Sequence, residues 1–151
     1  MRIVIASDHR GYVAKDNVRA YLKENGHAVE DLGCSSQASC DYPDHGFAAA
    51  EAVACGKAER GILFCGTGIG MSIAANKVDG VRAALCHDEL TAELARRHNQ
   101  ANVLCLPADL LGVELMKRVV EVWLNTEFEG GRHKRRISKI SHYEKNGRSL
   151  S

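Results

Sequence analysis

The stretch Gly61-Ile62-Leu63-Phe64-Cys65-Gly66-Thr67-Gly68-Ile69-Gly70 joins a short apolar run to a glycine-rich loop. The run is typical of a buried strand, and a helical pattern begins near Gly70. Glycine at alternate positions permits positive φ and close approach of the backbone to a ligand. Amides that converge at the start of a helix can hold an anion, and the same setting favours the thiolate of Cys65. The stretch therefore predicts a strand–loop–helix unit with an anion site beside an activated thiol.

Strands and helices alternate on both sides of this unit. The other strands are expected at residues 2–6, 27–32, 81–85 and 101–106. The helices are expected at residues 13–25, 44–56, 88–97 and 110–124, and a basic C-terminal helix is expected at 131–148 after two glycines. Such alternation predicts a parallel sheet of five strands covered by helices on both faces. We see no linker or repeat, so residues 1–151 are expected to form a single α/β domain.

Composition excludes several classes of function. The formal net charge is +1, which gives no general attraction to nucleic acid or to a membrane surface. Aromatic residues make up 5% of the chain, too few for base-stacking platforms. No apolar run approaches the roughly 18 residues of a membrane span, and the start of the chain lacks the apolar segment of a signal peptide. We expect a cytoplasmic protein without nucleic-acid or membrane partners.

The six cysteines indicate reduced thiols. None belongs to a Cys-x-x-Cys pair, and the only close pair is Cys34 and Cys40. Zinc ribbons need tighter clusters, and secreted disulfide scaffolds are usually shorter and richer in cysteine. We therefore expect no structural metal.

Polar residues follow several strands of the predicted sheet. Parallel sheets bind ligands beyond the carboxyl ends of their strands, which selects residues 7–11, 65–70, the residues after strand four and residues 106–109. Asp8 could face a ligand at this edge, but a plain cap explains this residue equally well. Asp44 is expected to be the N-cap of its helix.

Alternatives to an active site remain open at each motif. A dinucleotide fingerprint and a phosphate-cleaving cysteine loop are disfavoured, because Met71 stands where the first needs glycine and the second arginine. A tight turn with a buried thiol still explains the loop. His98 could be a favourable charge at a helix C-terminus. Arg132 and Arg136 share one helix face and suit a phosphate, but a solvated basic helix explains them too. Ile137 and Ile140 indicate that this helix packs.

Taken together, these segments resemble the ribose-5-phosphate isomerase B family, which includes the galactose-6-phosphate isomerase subunits. The matching stretches are Ser7-Asp8-His9-x-Gly11, Asp41-Tyr42-Pro43-Asp44, Cys65-Gly66-Thr67-Gly68-Ile69-Gly70, Ala75-Asn76-Lys77, His98-Asn99, Asn102-Val103-Leu104 and Gly130-Gly131-Arg132-His133-x-x-Arg136. The resemblance implies a Rossmann-like, three-layer α/β/α fold. It also implies a homodimer, or a dimer of dimers, with active sites shared at the subunit interface.

The resemblance further implies an aldose–ketose isomerase that interconverts ribose 5-phosphate and ribulose 5-phosphate through a cis-enediolate. Cys65 would be the base, Thr67 would help to move a proton, and His98 would open the sugar ring. The enediolate would be held by the amides of Gly66, Gly68, Ile69 and Gly70. Hydroxyls would be bound by Asp8, Tyr42 and Asn99. The phosphate would be bound by His9, Arg132 and Arg136, with the arginines supplied by the other subunit. Enediol chemistry needs a base, a proton donor and a stabilised oxyanion, so no cofactor is expected.

Two positions depart from the family pattern. Asp109 stands where the family usually has a phosphate-binding arginine, and Arg10 stands where it usually has alanine. An aspartate that pointed the same way would repel phosphate. We hypothesise that Arg10 partly replaces the missing arginine, or that the phosphate end of the substrate differs.

Other functions stay in view. Relatives also act on allose 6-phosphate, galactose 6-phosphate or a tetrulose phosphate. A non-catalytic binding subunit is an alternative of a different class, although Cys65, Thr67 and His98 are all present. A signalling receiver is disfavoured, because it needs an aspartate at the position of Cys65.

Overall fold

In this computed structural model, which describes residues 1–146, strands and helices alternate along the chain. The strands are β1 (Arg2–Ser7), β2 (Ala28–Asp31), β3 (Arg60–Cys65), β4 (Ala83–Leu85) and β5 (Val103–Pro107). The helices are α1 (Tyr12–Glu24), α2 (Tyr42–Ala54), α3 (Ile69–Ala75), α4 (Glu89–Arg97), α5 (Val113–Asn125) and α6 (Gly131–Asn146). Within the described part of the chain, every helix is too short or too polar to span a lipid bilayer.

The five strands form one parallel sheet in the order β2-β1-β3-β5-β4. The predicted five-stranded parallel sheet is confirmed. The chain leaves β1 toward β2 on one side and returns to β3 on the other. The order of strands therefore switches direction between β1 and β3. Ligands of doubly wound sheets bind at such a switch, beyond the carboxyl ends of the strands.

Apolar residues cover both faces of the sheet, as a buried parallel sheet requires. Ile3, Ile62 and Phe64 pack with α1, α4 and α5 around the fully buried Trp123. Alternate residues of the same strands, including Val4 and Leu63, pack on the opposite face with α2 and α3. The period of two along β1 and β3 therefore produces the expected three-layer α/β/α architecture.

Two local predictions were wrong. Helix α2 begins at Tyr42, because Pro43 is well tolerated in a first turn. The residue before α2 is Asp41, and Asp44 lies inside the first turn, where its charge favours the helix dipole without capping it.

Ile137 is buried, so α6 packs as expected, but Ile140 is 49% exposed and does not share that burial. Farther along α6, Glu144 Oε2 accepts a hydrogen bond from the amide of Gly80 at 3.4 Å. The end predicted for α6, at residues 147–148, lies outside the described residues.

The loops divide between the two edges of the sheet. At the carboxyl edge, the amide of Asp8 donates to the carbonyl of Phe64 at 3.3 Å, and the amide of Ala108 donates to that of Cys65 at 2.9 Å. At the amino edge, Arg82 Nε donates to the carbonyl of Asn99 at 3.0 Å. The six residues of β3 separate the edges by about 16 Å, at about 3.3 Å per residue.

Candidate active site

The glycine loop forms around the sulfur of Cys65. Cys65 ends β3 and is 5% exposed. The amide of Gly68 donates a hydrogen bond to its Sγ at 3.1 Å. Gly68 has φ +73°, and a Cβ there would lie 2.5 Å from Leu85 Cδ1, so the loop needs glycine at this position. An amide aimed at the sulfur stabilises negative charge on it, which is what a catalytic thiolate requires.

Two other cysteines on the sheet lack this setting. Burial raises the pKa of Cys86 to about 11. Complete burial also raises the pKa of Cys105 well above its ordinary value. Both therefore remain thiols near neutral pH. Cys65 differs from them in having the Gly68 amide aimed at its sulfur.

The turn after β1 brings Asp8 and His9 to the same edge. Asp8 is 6% exposed, and its Oδ1 accepts hydrogen bonds from the amides of Arg10 and Gly11, both at 3.0 Å. This oxygen therefore closes the turn before α1, but Asp8 is not the N-cap of that helix, which is Gly11. The Nδ1 of His9 accepts a hydrogen bond from the amide of Cys40 at 3.3 Å. In the neutral ring, this bond leaves the proton on Nε2, which can then donate to a ligand.

Tyr42 packs directly against the glycine loop. Its side chain is so close that a Cβ added at Gly70 would lie 2.8 Å from its ring carbons. Tyr42 remains 39% exposed. The absence of a side chain at Gly70 therefore leaves room for the Tyr42 ring, which packs beside the loop.

Arg10 and Asp109, the two departures from the family pattern, contact each other. Arg10 Nε donates to Asp109 Oδ2 at 2.8 Å, and its Nη2 also pairs with that oxygen. The pair lies over Gly66, where a Cβ would meet both side chains, and the amide of Asp109 donates to the Gly66 carbonyl at 3.0 Å. The carboxylate raises the pKa of Arg10. Asp109 does face the loop, but the guanidinium of Arg10 compensates its charge. The sequence alone did not predict this contact.

The remaining candidate residues lie at the opposite edge. His98 ends α4 and is half-buried, Asn99 follows it, and Arg132 and Arg136 are exposed at the start of α6. The amide of Glu129 donates to the Arg97 carbonyl at 3.0 Å, which places the start of α6 beside the end of α4. We call the first set, residues 8–10, 42, 65–70 and 109, the carboxyl-edge group. We call the second set, residues 98, 99, 132 and 136, the amino-edge group.

The sequence assigned no role to two residues that contact the amino-edge group. The ring of His133 stacks on His98 at a centroid distance of 4.2 Å and an interplanar angle of 7°. Glu129 lies beside both rings, with its carboxylate oxygens 3.9 Å from His98 Nε2 and 3.8 Å from His133 Nε2. His133 belonged to a matching stretch, and its spacing of four from Glu129, which lies just before α6, was the available signal.

His98, Glu129 and His133 carry side chains of the types that bind zinc, and their donor atoms lie within 4.8 Å of one another. Two features disfavour a metal ion. Parallel stacked rings direct their nitrogen lone pairs side by side rather than toward one point. Arg97 occupies one Glu129 oxygen at 3.0 Å, and Arg132 and Arg136 add positive charge that lowers the pKa of His133, after the larger effects of burial and of His98. This environment suits an anion.

Comparison with known proteins gives a consistent result. The family model described as Ribose/Galactose Isomerase matches residues 3–140. Ribose-5-phosphate isomerase B of Escherichia coli is 43% identical over 143 residues, covering 95% of this chain and 96% of that relative. D-erythrulose-4-phosphate isomerase of Pectobacterium atrosepticum is also 43% identical, covering 95% of each chain. The structure of ribose-5-phosphate isomerase B from Mycoplasma genitalium with bound ribulose-5-phosphate superposes with a TM-score of 0.93 at 47% identity, covering 96% of this chain and 97% of that one. The chain therefore belongs to the ribose/galactose isomerase family and is an aldose–ketose isomerase of sugar phosphates.

Proposed function

We propose that the protein interconverts ribose 5-phosphate and ribulose 5-phosphate through a cis-enediolate. The observation that carries the proposal is the hydrogen bond from the Gly68 amide to Cys65 Sγ, within a loop at the carboxyl edge of the sheet. The names of the Escherichia coli and Mycoplasma genitalium relatives support this substrate.

His98 opens the furanose ring in the first step. The C1 hydroxyl loses its proton, the ring oxygen O4 gains one, and the C1–O4 bond breaks to give the open aldehyde. An imidazole can exchange both protons near neutral pH. Asn99, Asp8 and Tyr42 bind the sugar hydroxyls during this step.

Cys65 isomerises the open sugar. The thiolate removes the proton from C2, and negative charge develops on O1, which the amides of residues 66–70 stabilise. Thr67 helps to move a proton between the oxygens, and return of a proton to C1 yields the ketose. Each oxyanion donor is worth about 10²–10³-fold in rate, and a positioned acid or base is worth about 10²–10⁴-fold. The reaction moves only protons, so it requires no cofactor.

His9, Arg132 and Arg136 bind the phosphate, and Arg10 is an additional ligand for it. The two arginines lie four residues apart on α6, so their guanidiniums can converge on one phosphate. His9 lies at the carboxyl edge, and its Nδ1 is occupied by the Cys40 amide, so its Nε2 is the atom that completes the set.

One chain cannot bring these groups together, so we propose a homodimer, or a dimer of dimers, with shared active sites. The carboxyl-edge and amino-edge groups lie on opposite edges, about 16 Å apart along β3. A second copy can supply its amino-edge group to the glycine loop. Exposed apolar side chains beside that loop offer a contact surface, namely Tyr42, Phe47, Ile69 and Ile73.

Turnover of several sugar phosphates tests the proposed function. We expect the highest kcat/KM for ribose 5-phosphate in a series that includes allose 6-phosphate, galactose 6-phosphate and erythrulose 4-phosphate. A preference for erythrulose 4-phosphate would support the second candidate, the activity named for the Pectobacterium atrosepticum relative. Cys65→Ala should abolish turnover of the preferred substrate while the protein stays folded. Full activity of this variant would refute the base, and no turnover of any sugar phosphate by the wild type would refute the function.

A further inference from the structure

The ring of His133 is an unusual feature of the amino edge. It is 5% exposed, although it lies in the first turn of α6, where the neighbouring residues are exposed. Within residues 1–146, its Nε2 is buried without a hydrogen-bond partner. A buried polar atom without a partner costs about 1–3 kcal/mol, so apolar packing alone would favour another residue here. Its stacking on His98 indicates what the ring does.

Glu129 is fixed beside the two rings. Its Oε2 accepts from Arg97 Nη2 at 3.0 Å, and its backbone amide donates to the Arg97 carbonyl at 3.0 Å. Arg97 lowers the pKa of Glu129, so the carboxylate is ionised near neutral pH. The negative charge stands within 4 Å of Nε2 on both rings. At His133 it partly offsets burial and the neighbouring His98, which together lower the pKa of that ring.

We propose that His133 and Glu129 are positioning residues that hold the imidazole of His98 in the orientation required for opening the sugar ring. The buried ring fixes the plane of His98 by stacking. The carboxylate stabilises the charge that His98 acquires when it takes a proton from the sugar. This inference rests on the proposed ring-opening role of His98.

The proposal predicts that variants lose ring opening but keep enolisation. Ribose 5-phosphate is cyclic in solution and must be opened. Ribulose 5-phosphate has its carbonyl at C2 and its O5 blocked by phosphate, so it forms no furanose ring. In deuterium oxide, Cys65 can exchange the C1 proton of ribulose 5-phosphate for deuterium without any ring step. Conversion and exchange therefore report the two steps separately.

Three variants carry the test. His133→Leu retains volume without a planar ring, and we expect it to lower kcat for ribose 5-phosphate by about 10- to 10²-fold, since a misplacement of 1 Å can cost about 10²-fold. Exchange at C1 of ribulose 5-phosphate, followed by NMR, should fall less than about twofold. His133→Phe restores a stacking plane and should recover most of the conversion. Glu129→Gln should act in the same direction as His133→Leu, and Glu129 is exposed, so this variant should fold normally.

Ile137→Ala is the matched control. Ile137 is the other buried residue of α6, one turn beyond His133, and it has no stacking contact with His98. If His133 only docks α6, both variants will raise KM for ribose 5-phosphate equally and leave the ratio of conversion to exchange unchanged, which would overturn the proposal. Equal loss of conversion and exchange in His133→Leu would also overturn it. Failure of the proposed function would look different, because the wild type itself would then show neither conversion nor exchange.

Discussion

Arg10 and Asp109 place opposite charges over the same glycine. The pair is exposed, with 60% of the Arg10 side chain and 37% of the Asp109 side chain accessible, so it adds little to stability. Asp109 accepts from Nε and Nη2 of Arg10, which leaves Nη1 outside the pair. Asp109, which alone would repel phosphate, thus holds the guanidinium of Arg10 beside the glycine loop.

Comparing Arg10→Ala with the double variant Arg10→Ala/Asp109→Ala separates phosphate binding by Arg10 from neutralisation of Asp109. We expect Arg10→Ala to raise KM for ribose 5-phosphate about tenfold, because a charge-assisted hydrogen bond is lost and the Asp109 carboxylate is left uncompensated. In Arg10→Ala/Asp109→Ala, KM should recover only in part, since the phosphate contact is still missing. Steady-state kinetics at fixed ionic strength measure both. An unchanged KM in Arg10→Ala would contradict the contact, and full recovery in the double variant would show neutralisation alone.

Among the secondary-structure elements, the β3–α3 connection depends most on one residue. Gly68 and Gly130 share φ +73°, but only Gly68 is crowded, with Leu85 Cδ1 2.5 Å and the Leu106 carbonyl carbon 3.2 Å from a built Cβ. The site around Gly130 is open. The two glycines therefore separate the cost of a left-handed backbone from the cost of a steric clash.

We expect Gly130→Ala to lower the free energy of unfolding by about 1 kcal/mol, the cost of a left-handed alanine. Gly68→Ala should lower it by about 2–3 kcal/mol, because overpacking adds to that strain. It should also reduce kcat about 10²-fold, because the amide aimed at Cys65 Sγ moves. Denaturant unfolding and turnover measure these effects. Equal destabilisation of the two variants, or normal kcat in Gly68→Ala, would contradict the crowding argument.

The order of elements was predictable because each strand of this sheet carries its own signal. Buried strands such as β3 appear as apolar runs, and the rule for strand ends then located Cys65 and Asp8 correctly. Element boundaries were harder to predict: Pro43 is readily accepted in a first turn, so α2 begins at Tyr42 and Asp44 lies inside the helix.

Side-chain contacts between distant residues were not predictable in this way. Arg10 and Asp109 are 99 positions apart, and no periodicity relates them. His133 looks like one more basic residue in a basic helix, and only its burial against His98 distinguishes it. The spacing of Arg132 and Arg136 indicated a phosphate-binding pair, but the grouping of the amino-edge residues into one site came from family resemblance, since the strand-end rule concerns the other edge.

For the whole molecule, the separation of the two groups is the main consequence of the topology. Helix α4 runs antiparallel to the strands, so its last residues must return to the edge where β4 and β5 begin. His98 is thereby kept away from the carboxyl end of β3 in its own chain, whatever its rotamer. A site that needs both Cys65 and His98 must therefore combine two chains.

Mixed assemblies test this directly. Cys65→Ala and His98→Ala should each be nearly inactive alone. When they assemble at random after mixing under mild dissociation, half of the dimers contain one chain of each kind, and each of these has one intact site and one doubly defective site. We expect activity to recover to about a quarter of the wild-type value. Cys65→Ala mixed with Thr67→Ala is the matched control: both changes lie in the carboxyl-edge group, so every site of a mixed dimer keeps one defect. Recovery in both mixtures, or in neither when mixed dimers are verified by mass spectrometry, would contradict shared sites.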